Sequence, residues 1–135
     1  MADAEREAGL RPNVLLLEPD IIVSSEISEF LRDCGYRVIE AATGAEAMLV
    51  LVASGIRIDV VMADATSPGT PDAFGLAQWV RANRSETRVI LAGSTEMATN
   101  QAGDLCDDGP MLAKPYDPQV VLDRIKRLMA ARDRG

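Results

Sequence analysis

Between Ile58 and Pro68 the chain reads IDVVMADATSP, and this stretch constrains the fold more tightly than any other. Ile58, Val60, Val61, Met62 and Ala63 make an almost continuous apolar run that ends on one carboxylate, Asp64. A short polar segment and Pro68 follow at once. An apolar run bounded by turn residues suits a strand buried on both faces of a parallel sheet. The pattern therefore predicts a central strand over 58–63, with Asp64 at its carboxyl end. In open α/β sheets that edge is where ligands and chemistry collect. An acid fixed there serves as a nucleophile, as a metal ligand or as a cap for the next turn.

The rest of the chain supplies neighbours for such a strand. Residues 1–12 read as a flexible lead-in closed by Pro12, and residues 13–133 as one domain. Asn13 to Leu17 is a second buried-strand run that ends at Glu18. Pro19 stops it, and Asp20 is placed to cap a helix from Ile21 to Cys34. Val23, Ile27, Phe30, Leu31 and Cys34 would form its inner face, and Gly35 its end. A short strand around Tyr36 to Glu40 leads to Thr43-Gly-Ala-Glu46, a capping box that opens a helix through Ala53. That helix is apolar almost all round; its capping box and the strand after it decide against a strand. A loop to about Ala73 follows the central strand. Then come a helix over 74–83, with Leu76, Trp79 and Val80 inward, and a buried strand over Arg88 to Ala92. Ser94 is placed to cap a short helix over Thr95 to Gln101. After the loop Gly103 to Gly109, a brief fifth strand falls around Met111 to Ala113. Asp117 and Pro118 open the last helix, whose inner stripe is Val121, Leu122, Ile125, Leu128 and Met129. Strand and helix alternate five times, which implies a doubly wound parallel sheet with helices on both faces.

Composition narrows the chemistry. A length of 135 residues allows one domain with a real core. The hydrophobic share of 47% and charged share of 26% are those of an ordinary globular protein. A net charge of −7 argues against a nucleic-acid backbone as a direct partner. No apolar run approaches the ~20 residues that span a bilayer, and the charged amino terminus lacks a signal-peptide core. Cys34 and Cys106 match no metal spacing and read as reduced thiols of a cytoplasmic protein. The sequence has no histidine. That excludes Ser-His-Asp and Cys-His catalysis and most zinc sites.

Taken together, Glu18 after the first strand, Asp64 and Pro68 after the third, and Lys114-Pro115 after the fifth resemble the receiver domain of two-component response regulators. The resemblance covers nearly the whole chain, from Asn13 to the last helix. It implies a flavodoxin-like (βα)5 sandwich with strand order 2-1-3-4-5. It implies that Asp64 accepts a phosphoryl group from the phosphohistidine of a histidine kinase or a histidine phosphotransfer protein. Magnesium would be the cofactor, held by Glu18, Asp64 and the backbone carbonyl of Thr66. Lys114 would pair with Asp64 at rest and with a phosphoryl oxygen afterwards, across a Lys114–Pro115 bond that family analogy makes cis. Contacts with an output protein or a second copy would use the face of the fourth helix, the fifth strand and the fifth helix.

Several positions depart from the family pattern. Pro19 stands where the family has a second acid, a magnesium ligand. Asp20 is a candidate substitute, although helix capping accounts for it. Ala92 stands where a Thr or Ser hydroxyl would bond the phosphoryl group. Losing such a bond to a charged group costs roughly 1.5–3 kcal/mol of the activated state. Met111 takes the aromatic switch position and reads as a packing residue. The loop GTPDAFG places Gly75 later than in the family, and its extra residues, Pro71 and Asp72 among them, read as a surface insertion.

Three functions compete. The first is a phosphoacceptor receiver acting through protein contacts. The second is a degenerate receiver that works as a phosphorylation-independent interaction module. The third, a flavodoxin-like cofactor binder, lacks a Gly-rich phosphate loop after the first strand, where EPDII stands. The first two leave open a stand-alone regulator or a receiver within a larger kinase or regulator.

Overall fold

The computed structural model describes residues 11–53, 55–93, 107 and 111–134. The expected lead-in (apart from residues 11–12), Cys106, the helix over 95–101 with its Ser94 cap, and most of the loop over 103–109 lie outside these residues. The elements are β1 Asn13–Leu17, α1 Ile21–Asp33, β2 Arg37–Ala41, α2 Gly44–Val52, β3 Val60–Asp64, α3 Ala73–Asn83, β4 Arg88–Gly93, β5 Leu112–Ala113 and α4 Pro118–Arg134. The strands form one parallel sheet in the order β2-β1-β3-β4-β5. β3 is its centre, paired with β1 through Val14↔Val60 to Leu17↔Ala63 and with β4 through Val60↔Arg88 to Asp64↔Ala92. The parallel sheet expected from the strand–helix alternation is present, and its order is the one that the receiver resemblance implies.

Side chains alternate across each strand, and two cores follow from that alternation. Leu15, Leu17, Val61, Ala63, Val89 and Leu91 pack with Ala47 and Leu51 of α2 and with Ala73, Leu76 and Val80 of α3. Val14, Leu16, Val60, Met62, Ile90 and Ala92 pack with Ile27 and Leu31 of α1 and with Val121, Leu122, Ile125 and Leu128 of α4. Strands that must satisfy both layers need apolar residues at consecutive positions, as NVLLL and VVMA provide. Among the described residues no helix is long and apolar enough to cross a membrane.

The helix starts follow the capping residues. Asp20 caps α1, accepting from the amides of Ile22 and Val23. Thr43 and Glu46 form the reciprocal capping box of α2. Asp72 caps α3 by accepting from Gly75. Asp117 accepts from the amide of Gln119 at the start of α4.

The expectations for α1 and β3 need correction. Cys34 is an exposed residue just beyond α1, whereas Ser24 and Ser28 lie buried on the helix's inner side. Ser24 tolerates burial because its hydroxyl donates to Glu40 at 2.7 Å. β3 begins at Val60, after Ile58; the Asp59 backbone still bonds to Asn13 and Arg88, and its carboxylate accepts from the Asn13 amide and from Arg132. The segment Pro68 to Asp72 is also more than a surface insertion. Pro68 accepts the Gly44 amide at 2.9 Å, and a Cβ at Gly44 would stand 1.7 Å from the Pro71 carbonyl oxygen. The segment therefore packs on the first residue of α2.

Candidate functional site

Strand parity brings three distant residues to one point. Val14, Leu16 and Glu18 face the same side of the sheet, as do Val60, Met62 and Asp64, and Leu112 and Lys114. Glu18 and Lys114 lie one step past their strands; Asp64 is the last residue of β3. Backbone hydrogen bonds fix all three at the carboxyl edge. The Glu18 amide donates to Ala41 at 3.0 Å, the Lys114 amide to Gly93 at 2.7 Å, and the Ala65 amide to Ala92 at 2.7 Å.

Lys114 lies between the two carboxylates. Its Nζ stands 2.5 Å from Asp64 Oδ2 and 2.6 Å from Glu18 Oε1. The carboxylates are almost fully buried, and the ammonium is partly open to solvent. The second oxygen of each carboxylate is also engaged. Glu18 Oε2 accepts the Asp20 amide at 2.9 Å. Asp64 Oδ1 accepts the Thr66 amide at 2.7 Å and the Thr66 hydroxyl at 2.5 Å. Two carboxylates thus share one ammonium, and the trio holds a surplus of one negative charge. The Lys114–Pro115 bond is cis, as family analogy implies.

The environment shifts the titrations of this group. Burial pushes the Asp64 carboxyl up, but hydrogen bonds from Lys114 and Thr66 outweigh burial and hold it below the usual carboxylate range. Burial pushes the Lys114 ammonium down, yet hydrogen bonds to Asp64 and Glu18 win and raise it above the usual lysine value. Tyr116, two residues after Lys114, is raised by burial and by the charge of Glu18. At neutral pH the site therefore holds an ionised Asp64 beside a charged Lys114.

The remaining candidates fall in distinct places. Thr66 stands in the turn after Asp64, where its hydroxyl and amide hold the carboxylate. Asp20 lies beside Glu18 but spends one carboxylate oxygen on the α1 cap. Among the described residues no group of three or more His, Cys, Asp or Glu could hold a metal ion. Two acids remain, a number that suits magnesium, which commonly takes one or two carboxylates and fills its shell with water and phosphate oxygens. Ala92 is opposite Asp64 in the β3–β4 register and fully buried. Met111 is buried in the core beneath α2 and α3. Sequence reading missed the Thr66 hydroxyl and the groove beside the site, about 190 Å³, lined by Glu18, Ile21, Ser24, Glu40 and Glu46 among others. Of its lining residues, Ile21, a large apolar residue immediately after a helix cap, was the available signal.

No family model matches the chain. Among curated proteins it is similar to the transcriptional regulatory protein AruR of Pseudomonas aeruginosa, 30% identical over 122 residues that take in 87% of this chain and 49% of that protein. The chain spans about half the length of the curated relatives it matches. Among solved structures it is similar to the chemotaxis response regulator CheY4 of Vibrio cholerae, with 27% identity and a TM-score of 0.73 over 87% of this chain and 98% of that one. The response regulator TrrA of Thermotoga maritima, solved in complex with Mg(2+)-BeF, aligns at 19% identity and a TM-score of 0.75, again over 87% of this chain and 98% of that one.

Proposed function

We propose that this domain, which has the receiver fold of response regulators, accepts a phosphoryl group on Asp64 and signals through protein contacts. The observation that carries the reading is the Lys114 ammonium held between the Asp64 and Glu18 carboxylates at the carboxyl edge of the sheet. A carboxylate attacks phosphorus only when the charge of the incoming group is offset and the group is held in line. The lowered pKa of Asp64 keeps the nucleophile ionised. An Asp64 oxygen would bond to phosphorus as the phosphorus–nitrogen bond of a partner's phosphohistidine breaks, the electron pair leaving with the imidazole nitrogen. Lys114 would then follow the new negative charge, which its compact ammonium on a flexible stem allows. Glu18 and Asp64 are the side chains that would hold magnesium, with the Thr66 carbonyl as a further ligand by resemblance. When bound, the metal supplies neutralisation of phosphoryl charge. Pro19 leaves it one acid fewer, so its affinity is weak. The donor would be a histidine kinase or a histidine phosphotransfer protein in the cytoplasm. Ile21 and Ile22, 77% and 74% exposed beside Glu18, give that donor an apolar landing.

A second reading rests on Ala92 and Met111. Ala92 brings no hydroxyl to the position opposite Asp64, and Met111 is buried as a core residue. Those features favour a phosphorylation-independent interaction module. An amide NMR titration with magnesium and then beryllofluoride, a phosphoryl mimic, separates the two, with Asp64→Ala as control. The phosphoacceptor reading expects shifts at Glu18, Asp64, Thr66 and Lys114 that the variant loses. A flat titration at high magnesium leaves the interaction module.

A further inference from the structure

The second helix turns an apolar face to water. α2 packs Gly44, Ala47 and Leu51 against the sheet. Ala45, Leu49 and Val52 follow the i, i+4, i+7 spacing on the opposite side. Leu49 is 70% exposed and Val52 53%. A helix of a globular protein normally carries polar residues there. Its start is rigidly held by the capping box, by the Gly44–Pro68 hydrogen bond and by the close approach of Pro71. The face is therefore presented in one orientation.

The charges at the two ends of this face are opposite. At the amino end stand Glu46 and Asp72, both exposed. At the carboxyl end stands the exposed Arg84, whose Nη2 donates to the Leu51 carbonyl at 3.3 Å. Arg57, just beyond the helix, has a side chain 65% exposed and pairs with Asp59, itself held by Arg132, and with the exposed Glu86 at 3.8 Å, so this end keeps a net positive charge. We propose that a second copy of this chain covers the face, its α2 running antiparallel about a two-fold axis between Leu49 and Val52. In an isologous contact of this kind Leu49 of each copy meets Val52 of the other. Each acidic end then faces a basic end, whereas a parallel pairing would set like charges together. Ile21 and Ile22, another exposed aliphatic pair among the described residues, adjoin Glu18 and Asp20 and have no such bipolar frame. The proposal stands independently of phosphoryl acceptance by Asp64.

The size of the face sets the strength. Nine helical residues span about 13.5 Å, and a stable interface buries about 800 Å² per partner. α2 alone supplies less, so the association is weak and depends on salt. Sedimentation velocity of the full chain, from about 10 μM to about 1 mM, reads it directly. The expected result is a monomer that shifts towards dimer with concentration, and less so in high salt. Leu49→Lys or Val52→Lys should raise the dissociation constant at least about tenfold, with the circular-dichroism melt preserved. Ile22→Lys should leave it unchanged. A monomer at every concentration, or a dimer indifferent to Leu49→Lys and Val52→Lys, overturns the proposal.

Discussion

The two ends of β3 carry the same residue type in different charge states of balance. Asp64 closes the strand at the carboxyl edge, and Asp59 precedes it at the amino edge; both are buried. Asp59 accepts the Asn13 amide at 2.8 Å and Arg132 at 2.6 Å, with Arg57 at 3.4 Å. That carboxylate is matched by cations and a backbone donor, and it ties α4 to the sheet. Asp64 shares one ammonium with Glu18, which leaves negative charge to spare. A balanced buried carboxylate stabilises a fold. A surplus of negative charge, held at the edge where the strands end, invites a further cation and suits an anionic group brought in with it.

The largest effect expected from this contrast is at Lys114. Lys114→Met leaves two buried carboxylates facing each other and should cost about 3–5 kcal/mol at neutral pH. Urea unfolding checks this, and the loss should shrink at acid pH as the carboxylates protonate. A variant as stable as the parent would mean that the surplus is hydrated and the contrast empty. At the opposite end, Asp59→Asn should cost about 1.5–3 kcal/mol from weakened charged hydrogen bonds. The same variant should leave the magnesium and beryllofluoride titrations unchanged; a change would erase the distinction between the two ends.

Two smaller effects sharpen the assignment of roles. The Asp64 carboxyl is held below its ordinary value, so its stabilising contribution is complete above the unfolded pKa near 3.9. It is lost as the pH falls through the lower folded value. Urea midpoints measured below about pH 5 should therefore decline less steeply in Asp64→Asn than in the parent. Smallest of all is Asp20→Asn. A cap tolerates this exchange within a few tenths of a kcal/mol, whereas Asp20→Ala should cost about 1 kcal/mol. Unchanged magnesium affinity in Asp20→Asn would confirm a cap; a marked loss would make Asp20 a ligand.

Much of the fold was legible because its signals are local. Apolar runs predicted the buried strands, and Asp20, the Thr43–Glu46 box and Asp117 marked helix starts within a few residues of the groups they satisfy. The candidate site was legible at Asp64 from the strand pattern, and at Glu18 and Lys114 through the family resemblance. The inner face of α1 was misread at Cys34 because an apolar preference near a helix end does not say how the chain leaves it. Ser24 and Ser28 were missed because a buried serine has no hydrophobic signature.

The sequence by itself determined, to within a residue or two, where the described strands and helices lie, that they alternate, and that acids and a lysine follow strands one, three and five. Tertiary structure decided which of these groups meet. Lys114 reaches Glu18 across 96 residues and Asp64 across 50, and Arg132 reaches Asp59 across 73. Those separations mean nothing along the chain until parallel pairing and strand register set the side chains on one face and at one edge. The same register gave Asp64 a surplus of charge and Asp59 a balance, although both are aspartates at the limits of a single strand. Local physics chose the elements, and long-range packing chose the partners.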